Sequence, residues 1–144
     1  MDNDDIITNN KGNLKCVLVE DVVKEMSTDN IQRNMYRPIK FIKLNEDNKS
    51  TNEEYLAHAI GFYEDCLLFY IYPMKSFFER WYDEYYFMSI VNPKNIEDLL
   101  DKQEDDSLLE KPVKYLKDGV FQNTHDVYRC RSDYKNSILC FYIK

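Results

Sequence analysis

The hydrophobic positions divide this chain into short segments with a period of two or of about 3.6 residues. Leu14, Cys16 and Leu18 alternate with Lys15, Val17 and Val19, which predicts a strand over Leu14–Val19. Val22, Val23 and Met26 then recur at helical spacing and predict a short helix. The alternative is one helix from Leu14 to Met26, which the β-branched valines disfavour. Ser27–Arg37 reads as a polar connection. Pro38–Leu44 alternates again, as a half-buried strand opening on an edge-tolerated proline. Asn45–Asn52 reads as a loop.

The stretch Tyr55–Phe87 holds 13 of the 21 aromatic residues, so the core is expected there. Ala57–Tyr63 and Cys66–Tyr72 read as two strands of a hairpin about Glu64-Asp65. The competing reading is a helix capped by Thr51 with Glu54 three residues on, followed by Leu56, Ala59, Ile60 and Tyr63 on one face. Cys66–Tyr72 is apolar on both faces and is expected at the centre of a sheet. Ser76 with Glu79 forms a second capping box, and Phe77, Phe78, Trp81, Tyr82 and Tyr85 share one helical face. Phe87–Val91 is read as a short strand. Asn92-Pro93 then opens a helix that turns Ile96, Leu99 and Leu100 inward. Pro112 interrupts the apolar positions of Ser107–Asp118, and Gly119 supplies a stop. Val127–Arg131 and Ile138–Ile143 read as a closing hairpin around Ser132–Ser137, with the spacing of Cys130 and Cys140 dependent on its register.

These elements predict an α+β fold: a mainly antiparallel sheet of about five to seven strands with two or three helices packed on one face. Residues 1–13 are expected to be a tail and residues 14–144 one domain, in keeping with a length of 144.

Composition narrows the chemistry. The formal charge is −7 with only 5 Arg, so a partner with a basic surface is favoured over nucleic acid. The acidic opening Met1-Asp2-Asn3-Asp4-Asp5 is unlike a signal peptide, and the longest apolar run is too short to span a bilayer. Four cysteines without metal spacing read as reduced thiols of a cytosolic protein, with no metal and no cofactor expected. Glycine occurs only at 12, 61 and 119, which excludes P-loop, GxSxG and GxGxxG motifs.

Several residues invite a catalytic or binding role. His58 and His125 are the two histidines, and either could serve a small nuclease with Arg129 or Arg131 holding phosphate. Carboxylate doublets such as Glu97-Asp98 and Asp105-Asp106 are read as solvated faces. Cys130 lies between two arginines that belong to the opposite strand face. Arg129, Arg131, Lys135, Tyr128 and Tyr134 form a basic aromatic cluster, read as a solvated strand face. Twelve tyrosines exceed the need of one core, and tyrosine is a favoured interface anchor.

The expected partner-binding residues are Tyr82, Asp83 and Tyr86 on the margin of the aromatic helix, with Glu104, Asp105 and Asp106 of the acidic run. The profile points to a non-enzymatic protein that binds and neutralises another protein, as toxin-immunity proteins and phage or viral inhibitors of host factors do. A small nuclease and a structural subunit that forms homo-oligomers are the alternatives.

Overall fold

The computed structural model describes residues 15–73, 90–103, 105–117 and 123–144. The expected tail 1–13 and aromatic helix Ser76–Phe87 lie outside them. The described chain forms α1 (Val19–Met26), α2 (Asp29–Gln32), β1 (Lys40–Leu44), β2 (Ser50–Tyr63), β3 (Cys66–Pro73), α3 (Pro93–Asp101), a 3-10 turn (Asp106–Glu110), β4 (Val113–Lys117), β5 (His125–Asp126), β6 (Arg129–Asp133) and β7 (Ile138–Ile143). The seven strands make one sheet in the order β5-β4-β3-β2-β1-β7-β6.

An α+β composition is broadly consistent with the structure, but the expected mainly antiparallel sheet with helices packed on one face is overturned. The sheet is mixed and curls into a half-barrel, with three short helices. β1 pairs with β7 in parallel, Lys40 opposite Cys140. β3 pairs with β4 in parallel, Leu67 opposite Val113. Alternation within a strand shows which face is buried but not the direction of its neighbour. Both parallel pairings join strands that are distant in sequence, where no turn signal marks the pairing.

Local chemistry explains several boundaries. The β2–β3 hairpin turns at Glu64-Asp65 with Tyr63 opposite Cys66, and Glu64 sits at φ 51° as a tight hairpin requires. β2 already begins at Ser50, inside the expected loop. Asn92 caps α3 by accepting from the Asn95 N–H at 3.1 Å, with Pro93 in the first turn. The expected strand Leu14–Val19 does not form over its described part. Asp21 accepts the Leu18 N–H at 2.9 Å, and the helix starts at Val19. Only Leu18 makes a bridge, to Pro112. Burial of Val19 and Val22 overrides their β preference. Ile90 and Val91 are not in a strand; Phe87–Ser89 lie outside the described residues.

Pro112 does not interrupt an element. It precedes β4, where its carbonyl accepts the Leu67 N–H at 3.0 Å and its missing donor costs nothing. In the closing hairpin Cys130 lies opposite Phe141, and Arg131 opposite Cys140. Cys130 and Cys140 therefore point to opposite faces, and both are free thiols.

The core centres on Phe41 of β1, Phe69 of β3 and Phe141 of β7. Their ring centroids lie 5.1 to 5.3 Å apart in edge-to-face contacts. Tyr115, Ile71, Leu67, Leu139 and Ile143 pack around them. No helix among the described residues is long and apolar enough to cross a membrane.

The left-handed backbone at Glu64 gives a direct test of the hairpin. Glu64→Gly is expected to raise unfolding stability by about 1 kcal/mol in urea titration, because glycine adopts that conformation without Cβ strain. Gly61 is the converse case. A Cβ built there meets nothing within 4 Å, and the φ is ordinary. Gly61→Thr is expected to add about 0.5–1 kcal/mol through chain entropy and strand preference.

Candidate functional site

Two turns meet at one end of the sheet and carry the most exposed aromatic residues of the described chain. The first follows α2, where Ile31 and Met35 are buried and hold the turn to the core. The Asn34 amide donates to the Asn30 carbonyl at 3.0 Å, and the Arg37 N–H donates to the Asn34 carbonyl at 3.1 Å. The second turn joins β6 to β7. Its Asp133 carboxylate accepts from the Lys135 N–H at 3.0 Å and the Asn136 side-chain amide at 2.8 Å. Desolvation works to raise the Asp133 pKa, but these hydrogen bonds outweigh it and hold the carboxyl below its usual range.

Side chains bind the two turns together. The Asn30 amide donates to Ser132 Oγ at 3.2 Å, and the Ser137 hydroxyl donates to Asn30 Oδ1 at 2.8 Å. The Arg37 guanidinium donates to the Asn136 carbonyl. The Ser132 N–H donates to Glu25 of α1 at 2.6 Å, so a helix side chain covers the outer edge of β6. From this braced base Tyr36 and Tyr134 project, 75% and 67% exposed, beside exposed Arg37 and Lys135.

The residues singled out in sequence fall elsewhere. Tyr82, Asp83, Tyr86 and Glu104 lie outside the described residues, as does the side chain of Asp106. Asp105 is exposed, and its carboxylate accepts from the Ser107 N–H at 2.9 Å and hydroxyl at 2.7 Å. Those bonds cap the 3-10 turn and hold the Asp105 pKa down. The basic aromatic cluster divides. Arg129 and Arg131 belong to β6, opposite Tyr142 and Cys140, while Tyr134 and Lys135 stand on the turn. Tyr36 and Arg37 were missed in sequence. Their signal was an aromatic residue beside Arg and Pro within a polar connection.

His58 and His125 do not converge. β2 and β5 are separated by β3 and β4, about 14 Å at the usual strand spacing. His125 packs its ring on Tyr115 of the main core at 5.4 Å. His58 occupies an irregularity of β2, where pairing with β3 slips between Ala57 and Ala59, and packs on Tyr72 at 4.5 Å. Its Nε2 is buried with no hydrogen-bond partner among the described residues, and burial lowers its pKa.

The thiols are poorly suited to nucleophilic work. Burial raises Cys16 to about 11 with help from Asp126, and Cys140 to about 12. Burial also raises Cys66 and Cys130. Glu97, Asp98 and Asp101 bring carboxylate oxygens within 4.8 Å of one another on α3. Lys94 pairs with the first two, at 2.7 and 3.4 Å.

A groove runs between α3 and the middle of β2. It encloses about 370 Å³ and is lined by His58, Ala59 and Ile60 on the strand side. Asn95, Asp98, Leu99 and Lys102 form the helix side, and Ile90 and Val91 close one end. Comparison of the chain with protein-family models, curated proteins and solved structures finds no match.

Two measurements test this electrostatic picture. NMR titration is expected to place the His58 midpoint below the ordinary 6.5. The unfolded chain then takes the proton first. The stability tied to neutral His58 is present above 6.5 and is lost as pH falls through the depressed value. His58→Gln should flatten that part of the stability curve. Iodoacetamide at neutral pH is expected to label all four cysteines far more slowly in the native protein than in urea.

Proposed function

We propose that this chain is a small protein-binding module that inhibits or neutralises its partner, and that it docks through the braced turns carrying Tyr36, Arg37, Tyr134 and Lys135. The observation that carries this reading is the exposure of two tyrosines on turns held rigid by side-chain hydrogen bonds. Tyrosine and arginine are the commonest interface anchors, because they bring large contact area at low entropic cost. Bracing by Asn30 and Ser137 means that little order is left to impose on binding. Arg37 and Lys135 would pair with carboxylates on the partner and set its orientation. The residues expected from sequence to bind, Tyr82, Asp83, Tyr86, Glu104, Asp105 and Asp106, remain part of the proposal as groups suited to a basic partner. Four free thiols with raised pKa values fit a reducing, cytosolic setting.

A photo-crosslinking phenylalanine analogue placed at Tyr36, at Tyr134 and at the distant Glu46 tests this in cells of the source organism. The expected result is one shared adduct from positions 36 and 134, absent from 46 and lost with Arg37→Glu. Equal adducts from all three positions, or none, would overturn the proposal. Once the partner is in hand, Tyr36→Ala and Tyr134→Ala should each cost about 2 kcal/mol of binding, roughly thirtyfold in Kd. The unfolding free energy from urea titration should stay within about 0.5 kcal/mol of the parent protein, since both side chains are exposed.

A further inference from the structure

The turns that carry Tyr36 and Tyr134 also gather cations. Arg33, Arg37 and Lys135 are all exposed there. Among the described residues none of the three forms an ion pair, although Lys40, Lys43, Lys94 and Lys114 all do. The carboxylates beside them are otherwise engaged. Asp133 accepts from the Lys135 and Asn136 N–H groups and from the Asn136 side-chain amide, at 2.8 to 3.3 Å. Asp29, one helical turn before Arg33, bonds to it through its carbonyl and not its carboxylate.

Both arginines are held at one end and open at the other. Arg33 Nε donates to the Asp29 carbonyl at 3.4 Å, and Arg37 Nη1 donates to the Asn136 carbonyl. A guanidinium carries five N–H donors in a planar fork. Each arginine therefore keeps donors for a planar, bidentate acceptor, which is the geometry of a carboxylate. Ile31 and Met35 flank Arg33 in sequence and are buried, so the backbone beneath it is fixed. The bond from the Lys135 N–H to Asp133 does the same for Lys135.

We propose that this surface recognises an acidic segment of the partner protein, a few carboxylates flanking an apolar side chain that packs on Tyr36 and Tyr134. The inference rests on the docking surface proposed above and names what that surface takes. Charge decides between a short acidic segment and nucleic acid. The whole chain carries −7, so a long polyanion would be repelled wherever it ran beyond these turns. A short acidic segment feels mainly the cations it touches, since salt screens exposed charges more than about 8–10 Å away. Exposed ion pairs are weak singly, so the tyrosines supply contact area and the carboxylates supply selectivity.

NMR titration of the full chain with capped peptides of equal length tests this. Each peptide intersperses Phe and Gly with a single polar residue type, Glu, Gln or Lys. The Glu peptide is expected to shift the amides of 33–37 and 133–137 and to bind about tenfold more tightly than the Gln peptide, with the Lys peptide weaker still. That preference should shrink as salt is raised. Arg33→Gln, Arg37→Gln and Lys135→Gln should each weaken the Glu peptide by about two- to fivefold, the range of an exposed ion pair. The Lys135 side chain makes no hydrogen bond among the described residues, so Lys135→Gln reads charge alone should an arginine variant disturb its turn. Lys49→Gln, exposed on the β1–β2 turn, should leave binding unchanged. Equal binding of the Glu and Gln peptides at these turns overturns the acidic assignment and leaves the docking surface standing. Shifts confined to other residues overturn both. The acidic assignment also fails if the Glu peptide produces no shifts, if Lys49→Gln costs as much as Lys135→Gln, or if a single-stranded oligonucleotide binds the turns more tightly than the Glu peptide.

Discussion

The contact among Phe41, Phe69 and Phe141 sets the terms for the rest of the fold. The three rings come from β1, β3 and β7, and each lies within 5.3 Å of the other two. Edge-to-face pairs of this kind are each worth about 0.5–1.5 kcal/mol beyond the burial itself. β2 lies between β1 and β3, so Phe41 and Phe69 meet across an intervening strand. A flat sheet would hold them about 10 Å apart. The sheet must curl for them to touch, and Ala57 on β2, fully buried in the same cluster, is small enough to allow it. Phe41 and Phe141 are direct partners in the parallel β1–β7 ladder, so this cluster also supports that non-local pairing.

The curl has consequences at the margin of the sheet. β1 leaves β2 at Leu56, and the pairing of β2 with β3 slips just beyond it at His58. Irregularities of this kind bend a strand and re-aim its side chains, often next to a site. Beyond Leu56, Val91 donates its N–H to the Ala57 carbonyl, and α3 lies beside β2. At the far side, where β6 would present an open edge, Glu25 and Asn30 cover it and brace the turn that carries Tyr134. The surface carrying Tyr36 and Tyr134 thus arises from how one margin of the curled sheet is finished.

Local signals in the chain were legible where one short segment contains its own answer. Glu64-Asp65 between two apolar runs marks the hairpin, and Asn92-Pro93 marks the start of α3. Ile138–Ile143 declares itself by its unbroken apolar run. What depended on distant partners was not legible. Pro112 looked like a break because its role is to accept from Leu67, far upstream. Leu14–Val19 alternated like a strand, yet Asp21 captures the Leu18 N–H and a helix begins. The register of β6 on β7 separates Cys130 from Cys140, and no spacing in sequence encodes that choice. The same holds for the surfaces. Tyr36 and Tyr134 are remote in sequence, and hydrogen bonds through Asn30 and Asn136 are what join their turns.

The central claim is that contact among Phe41, Phe69 and Phe141 holds together strands that are distant in sequence. Amide hydrogen exchange of the native protein and of Phe141→Leu, read residue by residue by NMR, tests it most directly. The account predicts that the substitution speeds exchange in β1, β3 and β7 together. Faster exchange confined to β7 would contradict the account.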